Sequence, residues 1–266
     1  FSNLVISMQI FKSTLLVFAT ILLWIIALAS CIVFFAGDVV VWFLTFWWDK
    51  RLWLLHRYSI LWAMFYLKIN PFWRVRFEGK ENIRKEQVYV IVSNHQSAFD
   101  IILLYRLYTH FKWVAKKELA KVPFIGWNLL LNNHIFIERG SAVSAKKMME
   151  QGMKHLRMGS SLLIFPEGTR SADGTIHRFK DGAFILAQKS EKPILPVVID
   201  GSGEIMQNPL KLKLAQTLTI KILPEISYES FREFSPNELA RHVQQLMEKE
   251  HMAIAPERYH GSMVNS

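Results

Sequence analysis

The chain has 266 residues, of which 51% are hydrophobic, and a formal net charge of +10 at pH 7. This length suits one α/β domain with an appendage, and the hydrophobic share is high for a soluble protein. The single cysteine, Cys31, excludes internal disulfides, a cysteine-based zinc site and a thiol nucleophile in the globular part. The histidines form no closely spaced ligand pair, so we expect no metal site.

The amino-terminal segment, residues 1–73, predicts a membrane anchor. No charged residue occurs from Ser13 to Ala36, a run long enough to cross a bilayer core of about 30 Å. Gly37 and Asp38 could turn the chain back before a second helix from Arg51 to Lys68, which would span or lie in the interface. Seven of the nine tryptophans lie in this segment, and tryptophan prefers the headgroup level. The alternative is a buried helix hairpin of a large soluble core.

Basic residues follow the apolar segment closely. Residues 1–48 contain one lysine and one aspartate, so the whole net charge of +10 belongs to the remainder of the chain. By the positive-inside rule this side of the membrane is cytoplasmic. A basic domain there suits anionic lipid, a phosphorylated substrate or an acidic carrier protein. Nucleic acid is the competing partner, but the basic residues are dispersed and no groove-reading motif occurs.

Strand and helix patterns alternate from about Arg74 to Ile222. Helical spacing predicts helices over Ala98 to Tyr108, Ala142 to Met158 and Gly182 to Ser190. Short apolar runs predict six strands: VYVIVS, FKWVA, HIFIE, SLLIFP, ILPVVI and TLTIKIL. This alternation predicts an α/β fold, a mostly parallel sheet with flanking helices, whose site lies where the strands end.

A helix with a clear start signal closes the globular part. In SPNEL, Ser235 is a good N-cap and Glu238 occupies the capping-box position, so we expect a helix to about His251. The tail after Pro256 is expected to be loose. The predicted divisions are an anchor, a globular domain and a tail, at residues 1–73, 74–255 and 256–266.

The stretch NHQSAFD, directly after the first predicted strand, contains a histidine and an aspartate. Ser97 as an N-cap and Asp100 in a capping box would explain two of its residues but not His95. Five helical steps place His95 and Asp100 about 140° apart, so they meet only if the chain bends before the helix. If they meet, Asp100 accepts the hydrogen of one ring nitrogen and leaves the other free as a base.

A second motif, FPEGTR, begins a glycine-containing loop. Pro166 ends the preceding strand, and the glycines let backbone N–H groups approach a ligand. Arg170, Arg178 and Lys180 offer donors to a phosphate. The alternative is a solvated basic loop.

Taken together, these motifs resemble the lysophosphatidic acid acyltransferase family of the bacterial PlsC type. The family's NHxxxxD motif is NHQSAFD here, from Asn94 to Asp100, and its FPEGTR motif runs from Phe165 to Arg170. Its GxxFIxR motif appears as NHIFIER, which ends at Arg139 and has Asn133 where the family usually has glycine. Its proline-containing strand appears as ILPVVIDG, so four motifs occur in order over about residues 88–201.

The resemblance implies the fold of glycerolipid acyltransferases, with a two-helix membrane motif, and a specific reaction. A fatty acyl group would pass from acyl-CoA or acyl carrier protein to the sn-2 hydroxyl of 1-acylglycerol 3-phosphate, giving phosphatidic acid for phospholipid synthesis. His95, oriented by Asp100, would remove the hydroxyl proton. The glycine-flanked serine elbow of hydrolases is absent, which favours direct transfer. No cofactor is expected beyond the thioester co-substrate.

The resemblance also implies the residues of the site and the location of the enzyme. The implied catalytic residues are His95 and Asp100, and the implied substrate-binding residues are Asn94, Lys116, Arg139, Glu167, Gly168, Thr169 and Arg170. Of these, Lys116, Arg139 and Arg170 would hold the acceptor phosphate, while Glu167 would shape the glycerol pocket or serve as a structural partner. The enzyme would act on the cytoplasmic face of the cell inner membrane, among membrane lipids.

Two alternatives stay open at this point. The acceptor could be another lyso-lipid or glycerol 3-phosphate, with the same donor and the same base. The chain could instead be a non-catalytic membrane module that only binds lipid, although the intact His95 and Asp100 argue against this.

Overall fold

The protein, described by a computed structural model over residues 2–260 with side chains for residues 6–259, is built around one seven-stranded sheet. Its strands are β1 Trp73–Glu78, β2 Val90–Ser93, β3 Phe111–Lys116, β4 Ile135–Ile137, β5 Ser161–Ile164, β6 Ile194–Asp200 and β7 Gln216–Ile222. Its α-helices are α1 Ser2–Thr45, α2 Trp53–Ile69, α3 Asp100–Leu104, α4 Ile125–Leu131, α5 Ala142–Arg157, α6 Gly182–Ser190, α7 Tyr228–Phe231, α8 Pro236–Ile254 and α9 Glu257–His260. Short 3₁₀ helices span Lys80–Asn82, Tyr105–Leu107 and Lys117–Lys121.

The sheet has the strand order β1-β7-β6-β2-β5-β3-β4 and is mostly parallel, as the sequence predicts. Only the pair β6 and β7 is antiparallel. Central strand β2 pairs with β5 and β6, so Ile91 lies between Leu163 and Leu195. The carboxyl ends of these three parallel strands meet at one edge of the sheet, where ligands of open α/β folds bind.

Each face of the sheet is covered by its own hydrophobic core. Alternate residues of a strand point to opposite faces, so Ile91 joins the core that includes residues of α2 and α3. Val90 and Val92 join the opposite core, to which α5, α6 and α8 contribute. β2 is buried on both faces, which explains its continuous apolar run.

The amino-terminal segment forms one uninterrupted helix, α1, of 44 residues. Its stretch Ile6–Thr45 contains an 18-residue window with a mean hydropathy of 2.8 and is long and apolar enough to cross a membrane. The expected turn at Gly37 and Asp38 is wrong, because both residues serve helix packing. A Cβ at Gly37 would collide with the Tyr58 hydroxyl of α2, and Asp38 accepts a hydrogen bond of 2.6 Å from Asn128 of α4.

Three local features of the structure differ from what the sequence predicts. Strand β1 was not predicted, because half of its residues are exposed and its arginines break the apolar run. The helix expected from Ala98 to Tyr108 is only Asp100–Leu104, followed by the 3₁₀ helix Tyr105–Leu107. The tail is not loose over residues 256–260: it forms α9, whose Tyr259 is buried. Residues 261–266 lie outside the described residues.

The other predicted elements form close to their expected bounds. Helix α6 has the predicted bounds, and α5 ends one residue early. Helix α8 begins with a complete capping box, in which Ser235 and Glu238 each accept the other's backbone N–H. The helix then runs three residues beyond His251, to Ile254.

Candidate active site

The structure brings His95 and Asp100 together at the carboxyl end of β2. His95 Nδ1 donates to Asp100 Oδ2 at 2.7 Å, and Nε2 has no hydrogen-bond partner among the described residues. The side chain of Asp100 is completely buried, whereas that of His95 is 15% exposed. The imidazole stacks on the ring of Phe165, with the centroids 3.9 Å apart. This arrangement fixes the tautomer and orientation of an imidazole whose second nitrogen is free to accept a proton.

The bend that joins the two residues is held by Asp100 itself. Its Oδ2 also accepts the N–H groups of Gln96 at 2.7 Å and Ser97 at 2.9 Å, and its Oδ1 accepts from Ser202 Oγ. Asp100 therefore reaches back to Ser97 as a capping box requires. Ser97 is not the N-cap, however, because its hydroxyl accepts from Phe99 N–H at 3.3 Å and the helix begins at Asp100.

Glu167 of the FPEGTR motif connects two loops from its buried position. Its carboxylate accepts the backbone N–H of His95 at 2.9 Å and that of His177 at 3.1 Å. Burial raises the pKa of Glu167 to about 7, against the opposing effect of these two hydrogen bonds. Ser171 adds a second connection by donating its N–H to the carbonyl of His95 at 2.8 Å. Glu167 is thus a partner of the His95 backbone and does not line the cavity described next.

A cavity of about 500 Å³ opens beside His95. Its wall is mostly apolar and includes Ile101, Trp113, Leu119, Leu129 and Met148. Three cationic side chains also line it: Lys116, Arg139 and Lys180. An apolar cavity with a few charged groups and a free imidazole nitrogen suits a ligand with an apolar part and an anionic group.

A second cavity, of about 460 Å³, lies between α1, α2 and the sheet domain. Its apolar lining includes Trp24 and Leu28 from α1 and Tyr66 from α2. Phe99 and Ile102, which flank Asp100 in sequence, line it from the domain side. Helices α1 and α2 therefore enclose apolar space close to the dyad.

Some residues of the implied substrate-binding set line the first cavity, and others do not. Lys116, Arg139 and Gly168 line it. Gly168 has φ +70°, and a Cβ at this position would lie 2.9 Å from Lys180 Nζ, so glycine allows the lysine to approach. Thr169 and Arg170 are exposed and lie outside its lining.

Asn94, another residue of the implied substrate-binding set, uses its side chain to hold the backbone of β6. Its amide donates to the carbonyl of Ile199 at 2.9 Å and accepts the N–H of Ile199 at 2.8 Å. The side chain is 1% exposed and joins the ends of β2 and β6. Asn94 therefore connects the loop that carries His95 to the end of β6, and it is not among the residues that line the cavity.

The departure at Asn133 fits the backbone. Asn133 has φ +54°, which lies in the left-handed region where the family's usual glycine is at ease and asparagine is tolerated. The chain then enters β4 and delivers Arg139 to the cavity. The replacement is therefore compatible with the backbone path that brings Arg139 to the cavity.

Sequence patterns alone missed three contributors to the site. Ser202, which holds Asp100, lies 102 residues further along the chain. Lys180 was noted only as one donor of a basic loop, although it lines the cavity. The FPEGTR motif includes Phe165 but does not indicate that its ring supports His95. Their roles depend on contacts between distant segments, which no local spacing reveals.

Comparison with known proteins agrees with this geometry. The acyltransferase family profile matches residues 74–200, which include the dyad and all four motifs up to Asp200. A chloroplastic 1-acyl-sn-glycerol-3-phosphate acyltransferase of Arabidopsis thaliana is 37% identical over 152 residues, 57% of this chain and 42% of that protein. The enzyme of that name from Pseudomonas aeruginosa is 35% identical over 158 residues, 58% of this chain and 61% of its own length.

The fold gives the same result over nearly the whole chain. The crystal structure of the 1-acyl-sn-glycerophosphate acyltransferase PlsC from Thermotoga maritima superposes with a TM-score of 0.75 and 25% identity, covering 92% of this chain and 96% of that one. These matches are to enzymes of the lysophosphatidic acid acyltransferase family, and the acyltransferase domain that the family profile identifies in this chain spans residues 74–200. The chain spans less than half the length of its Arabidopsis thaliana relative in this family, and the match to that relative is confined to 152 residues.

Proposed function

We propose that the protein transfers a fatty acyl group from a thioester to the sn-2 hydroxyl of 1-acylglycerol 3-phosphate, giving phosphatidic acid. The observation that carries this proposal is the His95–Asp100 pair, with its free imidazole nitrogen beside a cavity that is apolar and cationic. In this proposal residues 1–73 anchor the enzyme and residues 74–255 carry out the reaction. The donor is acyl-CoA or acyl carrier protein, and the chemistry requires no further cofactor.

The reaction uses His95 as a proton carrier. Nε2 takes the proton of the acceptor hydroxyl as its oxygen attacks the thioester carbonyl, and Asp100 stabilises the imidazolium that forms. The tetrahedral intermediate then collapses, the carbon–sulfur bond breaks, and the imidazolium protonates the leaving thiolate. The products are the new ester and a free thiol.

Direct transfer is favoured over an acyl-enzyme intermediate. Ser93 and Ser97 are the hydroxyls nearest in sequence to His95, but both are buried: Ser93 donates to the carbonyl of Asn94, and Ser97 accepts a hydrogen bond from Phe99. Cys31 lies in the anchor helix. A single base with no adjacent activated nucleophile suits attack by the acceptor's own hydroxyl.

The cationic side chains at the cavity are proposed to bind the acceptor phosphate. Arg139, Lys116 and Lys180 line the same cavity as His95, so a phosphate bound by them keeps the sn-2 hydroxyl near the base. Arg170 lies at the surface outside the lining, and its part in phosphate binding is a separate point to test. The apolar cavity between α1, α2 and the domain offers space for an acyl chain.

We also propose that the enzyme acts on the cytoplasmic face of the cell inner membrane, where lysophosphatidic acid is present in the lipid. The long apolar helix α1 supports attachment to a membrane, and the net charge of +10 outside residues 1–48 supports the cytoplasmic side. The expected attachment is hydrophobic, so washing with salt should leave the protein on membranes.

An acceptor panel tests the function. Purified protein in detergent is given acyl-CoA or acyl carrier protein, and free thiol is measured with lysophosphatidic acid, lysophosphatidylcholine or glycerol 3-phosphate as acceptor. The expected result is thiol release that depends on lysophosphatidic acid. Preference for another acceptor would move the assignment within acyltransferases, and absence of thiol release with every pair would favour a lipid-binding module.

A further inference from the structure

A buried polar network joins the carboxyl-terminal helices to the NHxxxxD motif. Its centre is Asp200, at the end of β6. Asp200 Oδ1 accepts hydrogen bonds from Gln96 Nε2 at 3.0 Å, Arg258 Nε at 3.1 Å and His251 Nε2 at 3.3 Å. One carboxylate therefore connects the residue after His95 with both α8 and α9.

The network reaches the dyad by two short routes. Gln96 is buried, and its backbone N–H donates to Asp100 Oδ2 at 2.7 Å. Ser202, two residues after Asp200, donates to Asp100 Oδ1. Both carboxylate oxygens of Asp100 are thus held by groups that are positioned through Asp200 or its neighbours.

Helices α8 and α9 fasten the other side of the network. The aliphatic part of Arg258 packs over Gly174, where an added Cβ would lie 3.1 Å from Arg258 Cδ. Gly174 in turn accepts from Gln96 Nε2 at 3.0 Å. The hydroxyl of Tyr259 accepts the N–H of Ile176 at 3.3 Å and lies 2.8 Å from His251 Nδ1. The carboxyl-terminal segment therefore holds the FPEGTR loop and the end of β6 together.

Asp200 and Arg258 are both charged in the neutral pH range. Burial would raise the pKa of Asp200, but hydrogen bonds from His251 and Gln96 and the charge of Arg258 lower it to about 2. Arg258 also forms an ion pair with Glu204. A partly buried ion pair that is always formed holds its two side chains in place and does not act as a pH-dependent switch.

We infer that Arg258 and His251 are positioning residues for the His95–Asp100 dyad and act through Asp200 and Gln96. Neither residue lines the cavity, so neither contacts the reacting atoms. Loss of the ion pair frees Gln96 to move, and with it the backbone that orients Asp100. A displacement of about 1 Å in a catalytic group can cost on the order of 100-fold in rate. The inference rests on the proposed acyl transfer, in which His95 is the base.

The kinetic test compares three substitutions in α9. Arg258→Met keeps the aliphatic part over Gly174 and removes the charge, Arg258→Lys restores a charge, and Glu257→Gln changes an exposed neighbour as the control. We expect Arg258→Met to lower kcat roughly 10- to 100-fold with the KM for lysophosphatidic acid within about twofold of wild type. Arg258→Lys should recover part of the loss, and Glu257→Gln should match wild type.

A double substitution tests the route. Gln96→Ala should lower kcat by itself, and adding Arg258→Met should cost little more, because the two residues act in one chain of contacts. Fully multiplicative losses would overturn the route through Gln96. A kcat for folded Arg258→Met equal to that of wild type would overturn the positioning role.

A spectroscopic readout separates this inference from the proposed function. In detergent-solubilised protein labelled with ¹⁵N-histidine, the Nδ1–H signal of His95 is identified by its loss in His95→Gln. The signal should broaden in Arg258→Met and stay sharp in Glu257→Gln. If wild type shows the signal but no acyl transfer, the proposed function fails and the positioning role is still judged by this signal. If Arg258→Met does not fold, His251→Gln is judged by the same outcomes.

Discussion

Two histidine-containing regions lie at opposite edges of the same sheet and differ in what surrounds them. At the carboxyl edge, His95 has a carboxylate partner and a free nitrogen beside a cavity. At the amino ends of β3, β4 and β5 lies a buried histidine cluster, which we define as His56, His110, Lys112, His134 and His155. Only the first region combines a carboxylate, access and a supporting ring, so the environment and not the residue type distinguishes the proposed base from the buried histidines.

Burial disfavours positive charge throughout the buried histidine cluster. His110 Nε2 pairs with Ser160 Oγ at 2.9 Å, while its Nδ1 has no partner among the described residues. Burial, with the neighbouring charges of His56 and Lys112, lowers the pKa of His110 to about 2. Burial likewise lowers the pKa of Lys112 to about 7, and its Nζ donates to the carbonyl of Asn132 at 2.8 Å. These side chains pack between the amino ends of the strands and hydrogen-bond to them. An added positive charge in this region lowers the free energy of unfolding.

The largest expected effect separates the two regions by activity. His95→Ala should lower kcat by about 10²- to 10⁴-fold, because general-base assistance is worth that much. His110→Gln should instead lower the melting temperature and leave kcat per folded molecule near that of wild type. Thiol release and thermal unfolding are measured for both variants. Near-normal turnover in folded His95→Ala protein would refute the assigned base.

The sequence predicted the pairing of His95 with Asp100 but not the contacts that hold the pair in place. The motif gave His95 and Asp100, and helical geometry required a bend between them, which the structure contains. The supporting contacts of Ser202 and Phe165 could not be predicted, because they come from segments that only the folded sheet brings together. The sequence likewise could not predict that Thr169 and Arg170 lie outside the cavity. The motif identifies residues, but the loop conformation determines which of them face inward.

The fold shows the same limit at its half-exposed parts. Buried strands such as β2 have continuous apolar runs and were predicted, whereas β1 alternates arginines with apolar residues on an edge and was not. No turn forms at Gly37, because the glycine there allows α2 to pack closely against α1. Within the tail, residues 257–260 form a helix, because Tyr259 and Arg258 hydrogen-bond to residues that are distant in sequence.

The next prediction concerns the cationic side chains of the two regions. Arg139→Ala should lower kcat/KM for lysophosphatidic acid by roughly 10- to 100-fold, since a charge-assisted contact is worth about 1.5 to 3 kcal/mol. Residual use of lysophosphatidylcholine should fall much less, because its capped phosphate offers fewer oxygens. Arg170→Ala is the matched comparison at the surface, and Lys112→Met should change stability without changing acceptor preference. Equal losses on both acceptors would show that Arg139 does not recognise the phosphate.

A smaller effect is expected from acid. His110 has a folded pKa of about 2, below its usual 6.5, so below pH 6.5 the unfolded chain binds a proton that the folded chain does not. Stability from this group is therefore complete above pH 6.5 and is lost as pH falls, by about 2 kcal/mol between pH 7 and pH 5. The measurement is the free energy of unfolding of wild type and His110→Gln at both pH values. The stability difference between them should shrink toward pH 5, and a constant difference would contradict the neutral assignment.

The smallest effect has the opposite sign and belongs to the carboxyl edge. Burial raises the pKa of Glu167 from 4.5 to about 7, so between these values the folded chain binds a proton that the unfolded chain has lost. The protonated carboxyl is favoured by folding, and stability from this group is present below pH 4.5 and lost as pH rises to about 7. Glu167→Gln removes the titration. It also leaves one of the two backbone N–H donors without its carboxylate acceptor, a penalty that does not depend on pH.

The stability of wild type relative to Glu167→Gln should therefore fall as pH rises, by about 1 kcal/mol between pH 5 and pH 6. Using the His110→Gln background for both proteins removes one titration of opposite sign that would otherwise mask this slope. The free energy of unfolding is measured in denaturant at the two pH values. A relative stability that rises with pH would mean that Glu167 is ionised throughout. Its carboxylate would then be stabilised by the N–H groups of His95 and His177 more strongly than burial destabilises it.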